Sequence, residues 1–377
     1  MDGSFRIGRL FGIPIQIHYT FLLVIPLFAW IIGSEITFTI DSLTALFGVS
    51  IDPTLLTAGL IPYGIGAIVA LGLFAGVLIH EIAHCIVALR NGIKINNITL
   101  MLFGGISSME EATPDPRVEL PMALVGPLTS LLVGLLSLAI MYAIPGFVSS
   151  SANAGVLVFV FGYLGLLNVI LFAFNLLPAF PMDGGRVLRA FLAKRMPLHR
   201  ATKIAADVGR GFAILFGIVG LIFFNPFLIL IALFIYIGAS SESTAVKYSF
   251  LLQDVTVSDM MSSPVSTVPP TIPVSQVITM MYASKHLGFP VVERDTLVGM
   301  ITLADVNRMS SIDREAMQVR DIMTRDPIVL PPNAPVIEAL KIMSARNIGR
   351  IPIVSDGKIV GIVTRTDIIK VTELKQV

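Results

Sequence analysis

Long apolar stretches alternate with short polar connections over the first part of the chain. Six of them have about the length, roughly 20 residues, that an α-helix needs to cross a bilayer. They lie at residues 12–33, 62–89, 119–143, 155–177, 203–224 and 226–243. Asn225-Pro226 is a turn signal, so the last two stretches are two helices or one bent segment. The pattern predicts a mainly α fold, a polytopic membrane helix bundle.

Composition divides the chain into a membrane part and a soluble part. Of the 377 residues, 55% are hydrophobic and 14% are charged, whereas soluble domains carry roughly 25% charged residues. The deficit lies in residues 10–245, while residues 250–377 have an ordinary composition. The net charge of +1 does not indicate a nucleic-acid partner. The single cysteine, Cys85, excludes an internal disulfide framework.

Lysine and arginine occur in alternate connections, which predicts the orientation of the helices. Arg6 and Arg9 precede the first stretch, and the connections after the second and fourth stretches are also basic. Residues 34–61 and 144–154 contain neither Lys nor Arg. Because basic connections stay in the cytoplasm, we expect a multi-pass protein of the cell membrane. Six spans place the N-terminus and the soluble part on the cytoplasmic side.

The second stretch carries His80, Glu81 and His84 within five residues. The i, i+4 spacing puts both imidazoles on one helical face, where they can bind one Zn²⁺. The adjacent glutamate can take a proton from water that the metal activates. A few satisfied polar residues inside a bundle are the alternative, but ionisable residues are costly within a bilayer and mark functional sites. The sequence therefore predicts a zinc site inside the membrane.

A catalytic zinc usually has three protein ligands, and Asp183 is the predicted third. It follows Pro178 and Pro181, which end the fourth helix, and it precedes a Gly-Gly pair that permits a tight turn. Both motifs lie towards the cytoplasmic ends of their helices, so they can meet. The alternative role of Asp183 is to cap a short helix. The other histidines are weaker candidates for the third ligand. His18 opens the first helix, His199 lies in a basic connection, and His286 lies in the soluble part.

The H-E-I-A-H sequence at residues 80–84, followed about 100 residues later by N-L-L-P-A-F-P-M-D-G-G-R, resembles the site-2 protease family of intramembrane zinc metalloproteases. The resemblance covers the membrane part. It implies that His80, His84 and Asp183 bind one zinc ion per chain and that Glu81 is the catalytic base. It also implies that the substrate is a membrane protein whose transmembrane helix unwinds before cleavage.

Two further features resemble parts of this family. L-F-G-G-I-S-S-M at residues 102–109 resembles a membrane-associated strand, which implies that Gly104, Gly105 and Ile106 hold substrate by strand addition. A flexible loop is the alternative. Asn168 resembles a family asparagine near the active site, which implies a hydrogen bond to the developing oxyanion. Interhelical hydrogen bonding is its alternative role.

The C-terminal part contains an internal duplication with a constant offset of 62 residues. For example, G-M-I-T-L-A-D at 299–305 returns as G-I-V-T-R-T-D at 361–367. Each copy is predicted to contain a helix, two strands and a second helix, and Asp295 and Asp356-Gly357 mark the turns between strands. The predicted domains are a protease domain, a first repeat and a second repeat: 1–248, 249–311 and 312–377.

The duplication resembles a pair of CBS domains, an α+β regulatory module that commonly binds adenine nucleotides. The resemblance implies that Thr302, Asp305, Thr364 and Asp367 contact ATP, ADP or AMP, because carboxylates accept hydrogen bonds from ribose hydroxyls. These residues can equally cap the helices that follow them. A CBS pair can also serve only to form a homodimer.

Taken with these resemblances, the sequence predicts an intramembrane zinc metalloendopeptidase that acts in regulated intramembrane proteolysis and responds to adenine nucleotide. A different class is an ion channel or transporter regulated by the CBS pair, with intramembrane His, Glu and Asp along an ion path. That class does not explain the i, i+4 histidines with an adjacent glutamate. An inactive membrane scaffold is a third possibility, which the complete set of catalytic residues disfavours.

Overall fold

The computed structural model describes residues 3–101, 104–109, 115–310 and 313–375. The chain divides into two compact units, Met1–Thr244 and Ala245–Val377, and each is described by itself. The predicted domain boundaries after residues 248 and 311 stay predictions.

The first unit begins with a small sheet interrupted by three helices. The elements are β1 (Ser4–Leu10), β2 (Ile13–His18), α1 (Phe21–Ser34), α2 (Ile36–Phe47), α3 (Ile61–Arg90), β3 (Ile95–Met101) and β4 (Gly104–Met109). The strand order is β1-β2-β3-β4, in which β2 and β3 are parallel and the other pairs are antiparallel. The sheet therefore brings the N-terminal segment beside the segment that follows α3.

Five further helices complete this unit and lead out of it. They are α4 (Pro116–Ala143), α5 (Ser151–Asn175), α6 (Asp183–Ala193), α7 (Leu198–Ile222) and α8 (Pro226–Leu251), and a 3-10 turn, Ile144–Gly146, follows α4. Local signals set several ends: Asp115 and Ser150 cap α4 and α5. The Asn225 side chain accepts the Leu228 N–H at 3.0 Å, so Asn225-Pro226 separates two helices.

Among the described residues, α3, α4, α5, α7 and α8 are long and apolar enough to cross a membrane. Many of their outward-facing side chains are large, apolar and exposed, such as Leu132, Leu136, Ile218 and Leu221. Lipid tails can cover such surfaces without the cost of exposing them to water. The predicted fold, a membrane helix bundle, is confirmed.

The predicted first span at residues 12–33 is wrong in its bounds. Residues 13–18 form β2, which pairs with β1 and β3, and the helix begins only at Phe21. A short apolar run does not distinguish a strand from a buried helix, and Ile13-Pro-Ile-Gln-Ile alternates as a strand does. The helix α2 lies within residues 34–61, which were predicted as a connection, and α1 and α2 meet at a bend of 70°.

The second unit contains two similar halves, as the duplication predicts. The first half contains a 3-10 turn (Val257–Asp259), α9 (Val274–Ser284), β5 (Gly288–Glu293), β6 (Thr296–Thr302) and α10 (Leu303–Asn307). After α11 (Asp313–Ala316), the second half contains α12 (Val319–Ile322), β7 (Thr324–Arg325), α13 (Val336–Ala345), β8 (Arg350–Ser355), β9 (Lys358–Thr364) and α14 (Arg365–Leu374). The predicted order of helix, strand, strand and helix is confirmed.

The hairpins and cores of the two halves correspond. Asp295 and Asp356 have φ of 64° and 52°, as tight hairpin turns between twisted strands require. Val277 and Met281 of α9 are buried in one core, and their counterparts Ala339 and Met343 of α13 are buried in another. Each core is completed by the start of the other half, since Val319 is buried with Val277 and Val257 is buried with Ala339.

Candidate active site

The helix α3 carries His80, Glu81 and His84 to the interior of the first unit. Both histidines are 5% exposed, so their imidazoles are almost fully withdrawn from the surface. Asp183 is the first residue of α6 and is also buried. The residue before α6 is Met182, and no side-chain cap forms there, so the observed partners of Asp183 lie elsewhere.

The three side chains converge on one point. The Oδ2 atom of Asp183 lies 3.2 Å from His80 Nε2 and 3.1 Å from His84 Nε2. The two Nε2 atoms are 3.1 Å apart. Three potential ligand atoms from two distant segments thus form a nearly equilateral triangle.

The helix α4 orients both imidazoles. The carbonyl of Met122 lies 2.6 Å from His84 Nδ1, and since a carbonyl only accepts, Nδ1 carries the hydrogen and leaves the Nε2 lone pair free. The Ser130 hydroxyl lies 2.9 Å from His80 Nδ1. Gly126 lies between these two positions, where a Cβ would overlap both imidazoles. The absence of a side chain at Gly126 therefore lets α4 approach the cluster.

The donor set and its spacing fit a zinc ion. Ligand atoms about 2.0–2.1 Å from a tetrahedral zinc are about 3.3 Å apart, close to the observed 3.1–3.2 Å. Two imidazole nitrogens and one carboxylate oxygen are a common ligand set for catalytic zinc. His80, His84 and Asp183 could therefore hold the metal.

Glu81 contacts the strand β4. The Ser107 hydroxyl donates to Glu81 Oε2 at 2.5 Å. On the same strand, a Cβ at Gly105 would come within 2.5 Å of Glu81 Cγ, so only glycine allows this close approach. The strand β4 therefore fixes the orientation of the glutamate.

A cavity of about 1260 Å³ joins these groups. Its lining includes the two histidines, both active-site carboxylates and the strand residues, namely His80, Glu81, His84, Gly104, Gly105, Ser107 and Asp183. The predicted strand is observed at Gly104–Met109, while Leu102 and Phe103 lie outside the described residues. Ile106 belongs to the strand through its main chain, which pairs with Thr99.

Asn168 lies apart from the triangle of ligand atoms. It is buried in α5, where its Nδ2 donates to the Leu164 carbonyl at 2.9 Å. Its Oδ1 has no hydrogen-bond partner among the described residues. A Cβ at Gly76 of α3 would meet this oxygen at 2.6 Å, so Asn168 packs against α3 one turn before His80.

In the second unit, the predicted nucleotide residues cap helices. Asp305 Oδ2 accepts from the Thr302 hydroxyl and N–H at 2.6 and 2.9 Å. Asp367 Oδ2 accepts in the same way from Thr364 at 2.7 and 2.9 Å. Both pairs form capping boxes at the starts of α10 and α14. The two predicted pairs are thus equivalent in structure.

Several residues of the site were not predicted from the sequence. Ser107 and Ser130 carry no signal, because serine is common and its partners lie far away in the chain. Glu119 and Arg189 form a buried ion pair beside the cavity. Glu119 did leave a signal, because it opens the apolar stretch at residues 119–143, where unpaired charge is costly. Arg189 left none, because it is one of several basic residues in the connection after the fourth stretch.

A membrane helix bundle that holds a buried cluster of two histidines and an aspartate beside a glutamate belongs to the class of membrane-embedded metalloproteases. The matches to known families agree: Peptidase family M50 matches residues 68–216, and the CBS domain matches residues 257–311 and 319–373. The chain belongs to Peptidase family M50, the site-2 proteases, and carries a C-terminal CBS pair. It is a zinc metalloprotease of the membrane, and the channel or transporter alternative is not favoured.

Relatives extend over the whole chain. A zinc metalloprotease of Methanocaldococcus jannaschii is 32% identical across 100% of this chain and 99% of its own. Rip3 of Mycobacterium tuberculosis is 28% identical across 99% of this chain and 94% of its own. Among solved structures, a site-2 protease of Methanocaldococcus jannaschii is 34% identical, covers 64% of this chain and 95% of its own, and has a TM-score of 0.43.

Proposed function

We propose that this protease cleaves a peptide bond within the transmembrane segment of another membrane protein. His80, His84 and Asp183 are the ligands of one zinc ion in this proposal, and Glu81 is the catalytic base. The observation that supports it most is the convergence of the three ligand atoms in a cavity that also reaches Glu81 and the strand β4.

The hydrogen bonds around the cluster support these roles. Met122 and Ser130 hold the Nδ1 sides of the imidazoles, so the Nε2 atoms face Asp183. Zinc, when bound, supplies Lewis acidity that polarises a carbonyl and makes water more acidic. Glu81 removes a proton from the attacking water and later delivers it to the leaving amine. The Ser107 hydroxyl keeps the carboxylate turned towards the cavity.

The strand β4 provides the proposed binding surface for substrate. It is the last strand of the sheet order, and among the described residues no strand pairs with its outer side. An unwound segment can add to such an edge through main-chain hydrogen bonds, beside Gly104, Gly105 and Ile106. The oxyanion role of Asn168 stays a prediction, since its Nδ2 would have to leave the Leu164 carbonyl.

The proposed orientation places both termini in the cytoplasm. Since β2 pairs with β3, the segments before α1 and after α3 lie on the same side of the bundle. The α3 helix crosses once, so the bent pair α1–α2 supplies the return crossing and gives six spans. The opposite side is formed in part by the connection before α3, where the Ser151 hydroxyl donates to Asp52 at 2.6 Å.

The proposed regulator is an adenine nucleotide bound by the CBS pair. Capping occupies one carboxylate oxygen of Asp305 and of Asp367, and a carboxylate can accept further hydrogen bonds from a ribose. A nucleotide can change activity only if it binds two states of the enzyme with different affinities. Calorimetry of the full chain with ATP, ADP and AMP tests this part. Absence of binding by all three would leave a homodimer as the role of the pair.

The decisive experiment for the protease compares the wild type with Glu81→Gln in proteoliposomes that contain a single-span substrate. We expect Glu81→Gln to retain one zinc per chain and to lose cleavage. The matched control is Glu35→Gln, a glutamate between α1 and α2 that is exposed, and it should cleave like the wild type. Cleavage by Glu81→Gln at the wild-type rate would refute the assignment of the base.

A further inference from the structure

A buried ionic network lies beside the proposed zinc site. Arg189 and Glu119 are each 4% exposed. The Arg189 Nε donates to Glu119 Oε1 at 2.8 Å, and Nη2 donates to the same oxygen. The third partner, Glu242 of α8, is partly exposed and accepts from Nη1 at 2.5 Å. Arg189 therefore connects three helices of the first unit.

The two helices joined by Arg189 and Glu119 are those that complete the zinc site. On α4, Glu119 is followed at helical spacing by Met122, Gly126 and Ser130, the positions that hold or contact the imidazoles. On α6, Arg189 follows Asp183 by six residues. A shift of α6 along α4 would therefore move the aspartate relative to both histidines.

Arg189 also contacts the segment before α6. Its guanidinium lies 5.0 Å from the centroid of the Phe180 ring, within the range of a cation–π interaction. Phe180 is 1% exposed and lies three residues before Asp183. Asp183 lies between Phe180 and Arg189 in the chain, and the Arg189 side chain folds back onto the Phe180 ring, so this one contact constrains the segment that carries Asp183.

We propose that Arg189 is a positioning residue of the zinc site: its pairing with Glu119 and its contact with Phe180 fix the register of α6 against α4, and so place Asp183 opposite His80 and His84. The inference rests on the proposed ligand assignment. A positioning role differs from a role in folding alone, because it predicts that zinc affinity depends on the contacts of Arg189 even in a stably folded protein. Arg189 touches neither the ligand atoms nor Glu81 and acts through Asp183.

The test measures zinc affinity by competition with a chelator, without reference to cleavage. Removal of a group that orients a ligand typically weakens metal binding about 10- to 100-fold, and we expect Arg189→Met to fall in this range. Arg189→Met leaves Glu119 buried without its partner, so it can also destabilise the protein. The double variant Arg189→Met/Glu119→Gln removes that charge and should recover thermal stability.

The double variant separates the two explanations. A positioning role predicts that zinc affinity stays weakened at least about tenfold although stability returns. A wild-type zinc affinity in the stable double variant would overturn the proposal. The matched control is Arg210→Met, because Arg210 pairs at 2.8 Å with Asp207 on its own helix, and it should bind zinc as the wild type does.

Failure of the ligand assignment gives a different result. His84→Ala should lose zinc binding whatever the role of Arg189. If His84→Ala keeps the wild-type zinc affinity, the proposed ligands are wrong. If it loses zinc while the stable double variant does not, only the role of Arg189 is wrong.

Discussion

The two units place aspartates at the starts of helices for different purposes. In the second unit, Asp367 accepts both of its described hydrogen bonds from Thr364, three residues away. In the first unit, Asp183 starts α6 but reaches His80 and His84, which are 103 and 99 residues away in the chain. One carboxylate stabilises its own helix, whereas the other joins two segments at a shared point.

The difference shows which polar residues carry functional information. A carboxylate that is satisfied locally is explained by the helix it caps. A carboxylate buried in an apolar bundle, beside histidines that are distant in the chain, carries a desolvation cost that no local hydrogen bond offsets. The Thr-Asp pairs are therefore explained by helix capping whether or not they bind a nucleotide. The His-His-Asp cluster has no such local explanation, and this indicates that it binds a metal ion.

The largest expected effect is the loss of zinc on Asp183→Asn. An amide is a much weaker zinc ligand than a carboxylate. Loss of a group that only orients a ligand already weakens metal binding about 10- to 100-fold, so we expect the loss of this ligand to weaken zinc binding by more than that. The measurement is the zinc content of protein purified and dialysed against a chelator. Asp367→Asn is the control from the second unit and should retain full zinc content. Equal losses of zinc in both variants would contradict the conclusion that only the aspartate of the first unit binds the metal.

A smaller effect is expected at Ser107. Ser107→Ala removes a hydrogen bond to a charged group, worth roughly 1.5–3 kcal/mol, so kcat should fall about tenfold or more while KM changes little. Ser107→Thr retains the hydroxyl and is the matched variant. An unchanged kcat in Ser107→Ala would mean that β4 does not orient Glu81.

Removal of a helix cap should have a modest effect that stays within the second unit. Thr364→Ala breaks the capping box of α14 and should cost about 1 kcal/mol of stability, measured by thermal unfolding of the full chain. Zinc content should not change. Thr302→Ala tests the equivalent position at α10, and a loss of zinc in either variant would contradict the separation of the two roles.

The smallest effect concerns a polar contact away from the site. Hydrogen bonds from Ser151 and Thr54 lower the pKa of Asp52 from 3.8 to about 2. The stabilising contribution of this carboxylate is therefore complete above about pH 4 and is lost as the pH falls towards 2. The difference in thermal midpoint between the wild type and Asp52→Asn should therefore shrink as the pH falls from about 4 to about 2. A difference that stays constant would mean that the ionised Asp52 carboxylate does not stabilise the fold.

The sequence was sufficient for those parts of the molecule in which a residue pattern fits a single structural interpretation. The i, i+4 histidines, Glu81 and Asp183 stand out because ionisable residues are rare in apolar segments, and the structure brings them together. The constant 62-residue offset likewise predicted the two similar halves of the second unit.

Other parts could not be predicted because their partners are distant or their pattern is ambiguous. Residues 13–18 form a strand within an apolar run, which hydropathy alone assigns to a helix. Ser107 becomes important only when β4 packs against α3. Glu119 stands out as a charge at the start of an apolar stretch, but its pairing with Arg189 depends on how α4 and α6 pack.

The most direct test of the zinc assignment is X-ray absorption spectroscopy at the zinc edge of the purified full chain, with the wild type and Glu81→Gln compared. We predict one zinc per chain, bound by two imidazole nitrogens and by oxygen, with the same spectrum in both proteins. A sulfur ligand, or a change of ligands in Glu81→Gln, would contradict the assignment of His80, His84 and Asp183 as the zinc site.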